Sequence, residues 1–171
     1  MKKIYLDYNS TTPIDPKVIE RMNPFLHQFP GNASSTTHNY GKEAKNQIDK
    51  ARSMIAKGIN CNPDEIIFTS GATESNNLAL LGFARNFKQK TGQYGNIITL
   101  KTEHKAVLEP IRQLKKEGFS VTELYPESDG LISEENLVNA LRDDTFLISI
   151  MLANNEIGVI QPIEKFFKIC Q

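Results

Sequence analysis

The stretch GNIITLKTEHKAVLEPIRQLKKEGFSVTEL, residues 95–124, joins two strand-like runs through a helical pattern. Asn96–Lys101 and Ser120–Leu124 are short and rich in apolar or β-branched residues, as buried strands are. Gly118 suits the position after a helix end. Between the runs, apolar residues recur at the spacing of one helix face: Val107, Ile111 and Leu114. Two strands joined by a helix predict a βαβ unit, whose strands run parallel.

The same alternation extends to both sides of this unit. Ile66–Thr69 and Phe146–Leu152 are predicted strands, and the second is apolar enough for a central strand that is covered on both faces. Further helices are predicted from the apolar positions Ala44, Ile48, Ala51 and Ile55, from SEENLVNAL with Ser133 as N-cap, and from the segment after Pro162. The chain is therefore predicted to be α/β, with three layers: a mostly parallel sheet and helices on both faces.

The composition is that of an ordinary soluble domain. Among the 171 residues, 20 basic side chains balance 20 acidic ones, which argues against nucleic acid or an anionic membrane as partner. Cys61 and Cys170 are too few for a disulfide framework or a metal cluster. The start, MKKIYLDYNS, lacks the apolar run of a signal peptide, and no run reaches the ~20 apolar residues of a membrane span. We expect a cytoplasmic protein.

Two segments stand out from the regular pattern. Residues 29–41, FPGNASSTTHNYG, form the one long irregular stretch, and their hydroxyls and amides suit an exposed binding loop. At the other end, no strand follows the helix after Pro162. Because the predicted sheet then has only four strands, we expect the chain to be the N-terminal part of a longer domain.

Polar residues follow three of the predicted strands at their carboxyl ends. The first cluster is SGATES, where Gly71 permits a close backbone approach, and Thr73 and Ser75 offer hydroxyls at a helix start. Such a start favours an anion, for example a phosphate group. It is neither a Walker A loop nor a G-x-G-x-x-G motif. A plain turn with a helix N-cap uses the same residue types and is the more frequent explanation of this segment taken alone.

The second cluster contains His104, and the third contains Asn154, Asn155 and Glu156. A histidine there can stack on a planar ligand or move protons, although a helix-capping or surface histidine gives the same pattern. The amides suit ligand contacts, but they also suit an Asx turn that ends at Gly158. Since the carboxyl ends of parallel strands share one edge, the three clusters together favour a crevice for a phosphorylated, planar, polar ligand.

Five segments resemble, in order, the N-terminal half of the NifS/IscS-type cysteine desulfurases: YLDYNSTTPIDP, GNASSTTH..YG, EIIFTSGATESNNLA, TEHKAVL and ANNEIGVIQPI. These enzymes use pyridoxal 5'-phosphate and belong to the class V aminotransferase superfamily. The resemblance covers essentially all of residues 1–171. It implies that residues 1–15 belong to the small domain of the family. Residues 16–171 would then be an incomplete fold-type I large domain that binds the cofactor.

The resemblance also implies roles for individual residues. Ala72 and Thr73 match the residues that hold the cofactor phosphate. His104 matches the histidine that stacks on the pyridine ring and is proposed to assist proton transfer. Asn155 matches the asparagine that contacts the phenolic oxygen of the ring. The irregular segment around residues 31–32 lies near the substrate entrance in the family, and no metal is implied.

In the family, L-cysteine becomes L-alanine, and the sulfur passes to an acceptor protein through an enzyme persulfide. The aspartate for the pyridinium nitrogen, the Schiff-base lysine and the persulfide cysteine all lie further along the family sequence than residue 171. Cys61, Cys170, Lys101 and Lys105 do not match those positions. The resemblance implies a homodimer, or a complement to a C-terminal half, and this chain alone is expected to be inactive.

Two other functions agree with the same residues. One is a non-catalytic remnant or interaction module derived from the family. The other is a selenocysteine lyase or another class V aminotransferase relative, because the cysteine loop that decides between these activities is absent from the chain. In each case a sheet cut in mid-course leaves an unpaired strand edge and uncovered apolar faces. The isolated chain is therefore expected to aggregate or to need a partner.

Overall fold

The computed structural model describes residues 3–171, which divide into one compact unit up to Phe68 and a second from Thr69 onward. Residues 1–2, at the start of the predicted N-terminal segment, lie outside the described residues. The domain boundary predicted between residues 15 and 16 stays a prediction.

Two helices provide the regular structure of the first unit. α1 (Pro16–His27) begins where the Asp15 carboxylate accepts a 2.7 Å hydrogen bond from a first-turn backbone N–H. α2 (Asn39–Ile59) contains the predicted periodic positions, and the residue after it, Asn60, has a φ of 56°, the left-handed conformation of many helix ends. The residues between the two helices are irregular and mostly exposed, as predicted for a loop.

The second unit is built on a three-stranded parallel sheet in the order β2–β1–β3. Its strands are β1 (Asn96–Leu100), β2 (Ser120–Leu124) and β3 (Thr145–Ser149). The α/β class and the parallel sheet are thus confirmed. The run Phe146–Leu152, which became β3, was predicted to be a central strand. Within residues 3–171 this prediction is wrong, because β1 is the central strand and β3 lies at an edge. All five residues of β1 are buried, whereas those of β3 are half-buried, because β3 pairs with β1 on one side only.

Helices cover both faces of this sheet, as predicted. One face of β1, with Ile97, packs against a layer formed by the π-helical turn Leu78–Gly82, α4 (Phe83–Thr91) and α5 (Lys105–Lys116). The opposite face, with Ile98 and Leu100, packs against α6 (Glu134–Ala140) and α7 (Ile163–Ile169). Successive strand residues point to opposite faces, so β1 contributes to both cores.

The predicted strand Ile66–Thr69 does not form. Ile66 has extended backbone, with φ −91° and ψ 119°, but none of β1–β3 pairs with this segment. Extended backbone becomes a strand only where a neighbour supplies ladder hydrogen bonds. Instead, the Arg52 side chain donates to the carbonyl of Ile66 at 3.3 Å and lies 5.1 Å from the ring centre of Phe68. The apolar pattern of this segment predicted a strand, but the segment has no strand partner among residues 3–171.

Candidate functional site

The first part of the candidate site is the turn that leads into α3 (Ala72–Asn77). Gly71 is the residue before this helix, and Ala72 and Thr73 are its first two residues. The first amides of a helix have no acceptor within the helix, and the helix dipole is positive at that end. The predicted helix start is therefore in place, with amides of the kind that bind anions.

The side chains of this turn bind one another. The Ser75 hydroxyl, predicted as a group for a ligand, lies 2.7 Å from the Thr69 hydroxyl and 3.2 Å from the Gly71 carbonyl oxygen. The Glu74 carboxylate accepts hydrogen bonds from the hydroxyl and the backbone N–H of Ser70, at 2.7 and 2.6 Å, and these bonds lower the pKa of Glu74. The turn is thus shaped by its own contacts.

Thr73 and His104 line the same groove, which has a volume of about 520 Å³ and lies between α3 and α5. A volume of this order suits a small-molecule ligand. The proximity predicted for the first two polar clusters is therefore present. The groove is completed by Asn77, Leu81, Lys105, Ala106, Glu109, Pro110 and Gln113. Ala72 and Asn155 are not among its lining residues.

His104 is the N-cap of α5. Its Nδ1 atom accepts a 3.0 Å hydrogen bond from the backbone N–H of Ala106, which satisfies one amide of the first helical turn. The alternative that His104 caps a helix is therefore confirmed, and Nδ1 is the atom that forms the cap. The ring as a whole is exposed and lines the groove, so capping and ligand contact do not compete for the same atom.

Asn155 lies in a tight hairpin that follows β3. The hairpin is closed by hydrogen bonds between Asn154 N–H and the Val159 carbonyl and between Gln161 N–H and the Leu152 carbonyl, both of 2.8 Å. The Asn154 side-chain oxygen accepts from two later backbone N–H groups, at 2.9 and 3.0 Å. This is the Asx turn given above as the alternative. β3 ends at Ser149 rather than Leu152 because the chain turns into this hairpin.

Two hydrogen bonds join this hairpin region to the segment before His104. The backbone N–H of Met151 donates to the Glu103 carboxylate at 2.6 Å. The Asn154 side-chain amide donates to the Thr102 carbonyl at 3.0 Å. The second and third polar clusters therefore meet through residues next to His104 and Asn155. Sequence reasoning did not single out Glu103, because one acidic residue in a loop has no periodic signal, and tertiary contacts decide its burial.

The comparisons with known proteins agree with this architecture. The family model described as Aminotransferase class-V matches residues 4–171. The chain belongs to the class V aminotransferase family. Cysteine desulfurase IscS of Serratia proteamaculans (strain 568) is 54% identical in an alignment 171 positions long, which covers 98% of this chain and 41% of that protein. The resemblance to cysteine desulfurases is thereby confirmed, and the chain spans less than half the length of this relative.

Solved structures of similar proteins confirm the fold class. A structure of a NifS-like protein superposes with a TM-score of 0.92 at 42% identity, over 98% of this chain and 45% of that chain. SspA in complex with cysteine superposes with a TM-score of 0.88, also at 42% identity, over 97% of this chain and 47% of that chain. Within residues 3–171, no helix has the length and apolar character needed to cross a membrane.

Proposed function

We propose that this chain forms the pyridoxal-5'-phosphate-binding part of a cysteine desulfurase. The observation that carries the proposal is the groove between α3 and α5, because a helix start with Thr73 and an exposed ring, His104, line it together. An anion-binding helix start and a stacking ring are the two features that a phosphorylated aromatic aldehyde requires. When bound, this cofactor supplies an electron sink for the reacting carbon of an amino acid.

Each proposed residue has a distinct part in this scheme. The backbone N–H groups of Ala72 and Thr73 hold the phosphate at the start of α3, with the Thr73 hydroxyl as an additional donor. The His104 ring would stack on the pyridine ring and assist proton transfer there, with Nε2 as the ring nitrogen that meets the ligand, because Nδ1 is engaged as an acceptor with α5. Asn155, in the hairpin after β3, would donate a hydrogen bond to the phenolic oxygen of the cofactor.

The proposed substrate is L-cysteine, and the similar proteins support it: the Serratia relative is a cysteine desulfurase, and SspA has been solved with cysteine. In the reaction the carbon–sulfur bond of L-cysteine breaks and the carbon takes a proton, which gives L-alanine. The sulfur becomes bonded to an enzyme thiol as a persulfide and then passes to an acceptor protein of the iron–sulfur scaffold type. We place this activity in the cytoplasm, in a homodimer.

The covalent groups are proposed to come from polypeptide outside residues 1–171. In the family these groups are the lysine that binds the cofactor and the cysteine that accepts sulfur. The small-domain assignment of residues 1–15 belongs to the same proposal. On this basis the chain holds the cofactor without a covalent bond, and it turns over L-cysteine only together with a C-terminal half.

A competition experiment tests the proposal on the full chain. Pyridoxal 5'-phosphate is titrated into the protein and followed by its absorbance, and the titration is repeated with pyridoxal and with inorganic phosphate as competitor. We expect pyridoxal to bind at least about tenfold more weakly, since it lacks the charged phosphate contacts, and inorganic phosphate to compete. Equal affinity for the two aldehydes, together with no competition by phosphate, would overturn the proposal.

Borohydride reduction followed by peptide mapping gives a second, covalent readout. We expect no stoichiometric adduct on a single lysine, because neither Lys101 nor Lys105 matches the lysine position of the family. A single stoichiometric adduct would show that the chain carries its own covalent anchor, and L-alanine formation from L-cysteine would then be measured directly. Failure to bind the cofactor in the absorbance titration would favour the non-catalytic interaction module.

A further inference from the structure

We propose that Glu103 is a positioning residue that sets the separation between His104 and Asn155. This inference rests on the proposed function, because it concerns the spacing of two of its residues. Glu103 precedes His104 directly in the chain, and its carboxylate holds the backbone of the segment that leads into the Asn155 hairpin. The same side chain therefore connects the two parts of the site that follow different strands.

The geometry of the contact is that of a strong hydrogen bond. The Glu103 Oε1 atom accepts from the Met151 backbone N–H at 2.6 Å, and only 7% of the Glu103 surface is exposed. A hydrogen bond to a charged acceptor is shorter and stronger than a neutral one, particularly where water is excluded. The contact bridges two loops that are 48 residues apart in sequence, so it constrains relative position rather than local turn geometry.

A second contact makes the connection more rigid. The Asn154 side chain donates to the Thr102 carbonyl at 3.0 Å while its oxygen accepts the backbone N–H groups of Glu156 and Ile157. Consecutive residues 102 and 103 are thus bound to the two ends of a short segment, 151–154. Two such contacts fix a distance and also an orientation, so the Asn155 tip cannot turn independently of His104.

The chemistry of the position argues against a purely packing role. Among residues 3–171, no lysine or arginine forms an ion pair with Glu103, and its burial raises the pKa of the carboxyl group above its usual value. A buried carboxylate without a cation is costly, and an apolar residue of similar size would fill the space without that cost. An apolar residue, however, has no oxygen that could accept the hydrogen bond from the Met151 backbone N–H.

The direct test is amide hydrogen exchange of the full chain with three single variants. Glu103→Ala removes the acceptor, and we expect the Met151 amide to exchange at least about tenfold faster, with faster exchange across residues 151–155. Glu103→Gln keeps a side-chain oxygen at the same place and is expected to remain within about threefold of the parent chain. Glu127→Ala, which truncates an exposed glutamate elsewhere, serves as the matched control and is expected to change nothing there.

If Glu103→Ala fails to fold, the Gln variant still decides the matter. A folded Glu103→Gln chain that keeps the slow Met151 amide supports an acceptor role. A folded Glu103→Gln chain that loses this protection overturns the proposal, as does a folded Glu103→Ala chain in which Met151 exchanges at the parent rate. These readouts need no cofactor, so they are independent of the proposed function.

Ligand binding then separates positioning from general loosening. Because Glu103 acts between the His104 and Asn155 segments, we expect its removal to weaken pyridoxal 5'-phosphate binding by about tenfold while inorganic phosphate binds as in the parent chain. A merely structural role would weaken both ligands alike, and that result would overturn the proposal. If the parent chain binds neither ligand, the proposed function fails instead, and the exchange data still report on Glu103.

Discussion

The Nδ1 atom of His104 accepts a hydrogen bond of 3.0 Å from the backbone N–H of Ala106. A ring nitrogen that accepts a hydrogen bond carries no proton, so a neutral ring carries its proton on Nε2, which can donate a hydrogen bond to a ligand. The same contact caps α5 and fixes the side chain beside the groove that Thr73 also lines. One residue therefore stabilises a helix and serves the candidate site through different atoms.

Two substitutions at His104 separate these roles. Asparagine is a good N-cap, so His104→Asn is expected to leave the free energy of unfolding within about 0.5 kcal/mol, whereas His104→Ala lowers it by about 1 kcal/mol. Both remove the ring and are expected to weaken pyridoxal 5'-phosphate binding by about tenfold. Urea unfolding and cofactor titration measure the two effects.

The matched control is Ser133, whose hydroxyl caps α6 by accepting from the Asn136 backbone N–H at 3.1 Å. Ser133→Ala is expected to cost stability as His104→Ala does, because the lost contact is of the same kind. It is expected to leave cofactor affinity unchanged. A His104→Asn chain that binds the cofactor as tightly as the parent chain would contradict ring stacking.

The phosphate end of the proposed site is tested at Thr73. Thr73→Val keeps the shape of the side chain but removes the hydroxyl, so we expect pyridoxal 5'-phosphate and inorganic phosphate to bind about tenfold more weakly. Pyridoxal, which has no phosphate, is expected to bind as before. Thr91→Val, at the end of α4, is the control. If Thr73→Val weakened pyridoxal binding as much as pyridoxal 5'-phosphate binding, Thr73 would not act through the phosphate group.

Glu103 is expected to make stability fall as the pH rises. Burial raises the pKa of its carboxyl group above the usual value of 4.5. Between the two pKa values the folded chain binds a proton that the unfolded chain has lost, so the free energy of unfolding decreases with increasing pH and then levels off. In Glu103→Gln the side chain is an amide and does not titrate in this range, so this pH dependence is absent. Urea unfolding of both chains from about pH 4.5 to neutral pH should show the variant gaining stability relative to the parent; parallel curves would be the contrary result.

Glu117 is expected to act in the opposite direction. Its carboxylate accepts hydrogen bonds from Arg85, at 2.6 and 3.1 Å, and from Gln113, at 3.0 Å. These contacts, the Arg85 one first, lower the pKa of Glu117 from 4.5 to about 2. The stability that they contribute is complete above the usual pKa and is lost as the pH falls from 4.5 towards 2.

The thermal midpoint of the parent chain should therefore drop more steeply over this acid range than that of Glu117→Gln. Arg85→Met removes the partner instead of the carboxylate and is expected to flatten the pH dependence in the same way. The pair is exposed to solvent, so added salt should reduce the difference. A Glu117→Gln chain with the pH profile of the parent would show that this pair does not set the acid stability.

The local sequence pattern was enough to predict the βαβ unit, because each of its strands and its helix has the residue spacing typical of that element. The Val107, Ile111 and Leu114 repeat became α5, and its flanking runs became β1 and β2. Pairing was not encoded locally: Ile66–Thr69 has a strand-like pattern, yet it forms no strand among residues 3–171. The apolar run that gives β3 suggested a central strand, although the order places β1 there.

For the candidate site, the sequence located the polar clusters after the strands but not the contacts between them. Thr73 and His104 share a groove, as the common edge of a parallel sheet predicts. The hydrogen bond between Met151 N–H and the Glu103 carboxylate joins two loops. The sequence of neither loop alone predicts it. Contacts between residues distant in sequence depend on sheet register, which periodicity does not specify.

The apolar surface beside β3 gives the last prediction. A groove of about 430 Å³ lies between β3 and α7, and its lining is almost entirely apolar, including Phe146, Phe166 and Phe167. Phe167 is 62% exposed, and β3 has a paired neighbour on one side only in the described part of the chain. Open strand edges and exposed apolar patches promote association between copies. We therefore expect the isolated chain to self-associate in sedimentation velocity at micromolar concentration.

Phe167→Lys places a charge on this surface and is expected to shift the distribution towards monomer, with the circular dichroism spectrum unchanged. Tyr125→Lys is the matched control, since Tyr125 is 67% exposed and follows β2 at the other edge of the sheet. It is expected to leave self-association as it is. If both lysine variants act equally, the association depends on net charge rather than on the groove beside β3. If the parent chain sediments as a monodisperse monomer, the prediction of self-association is wrong.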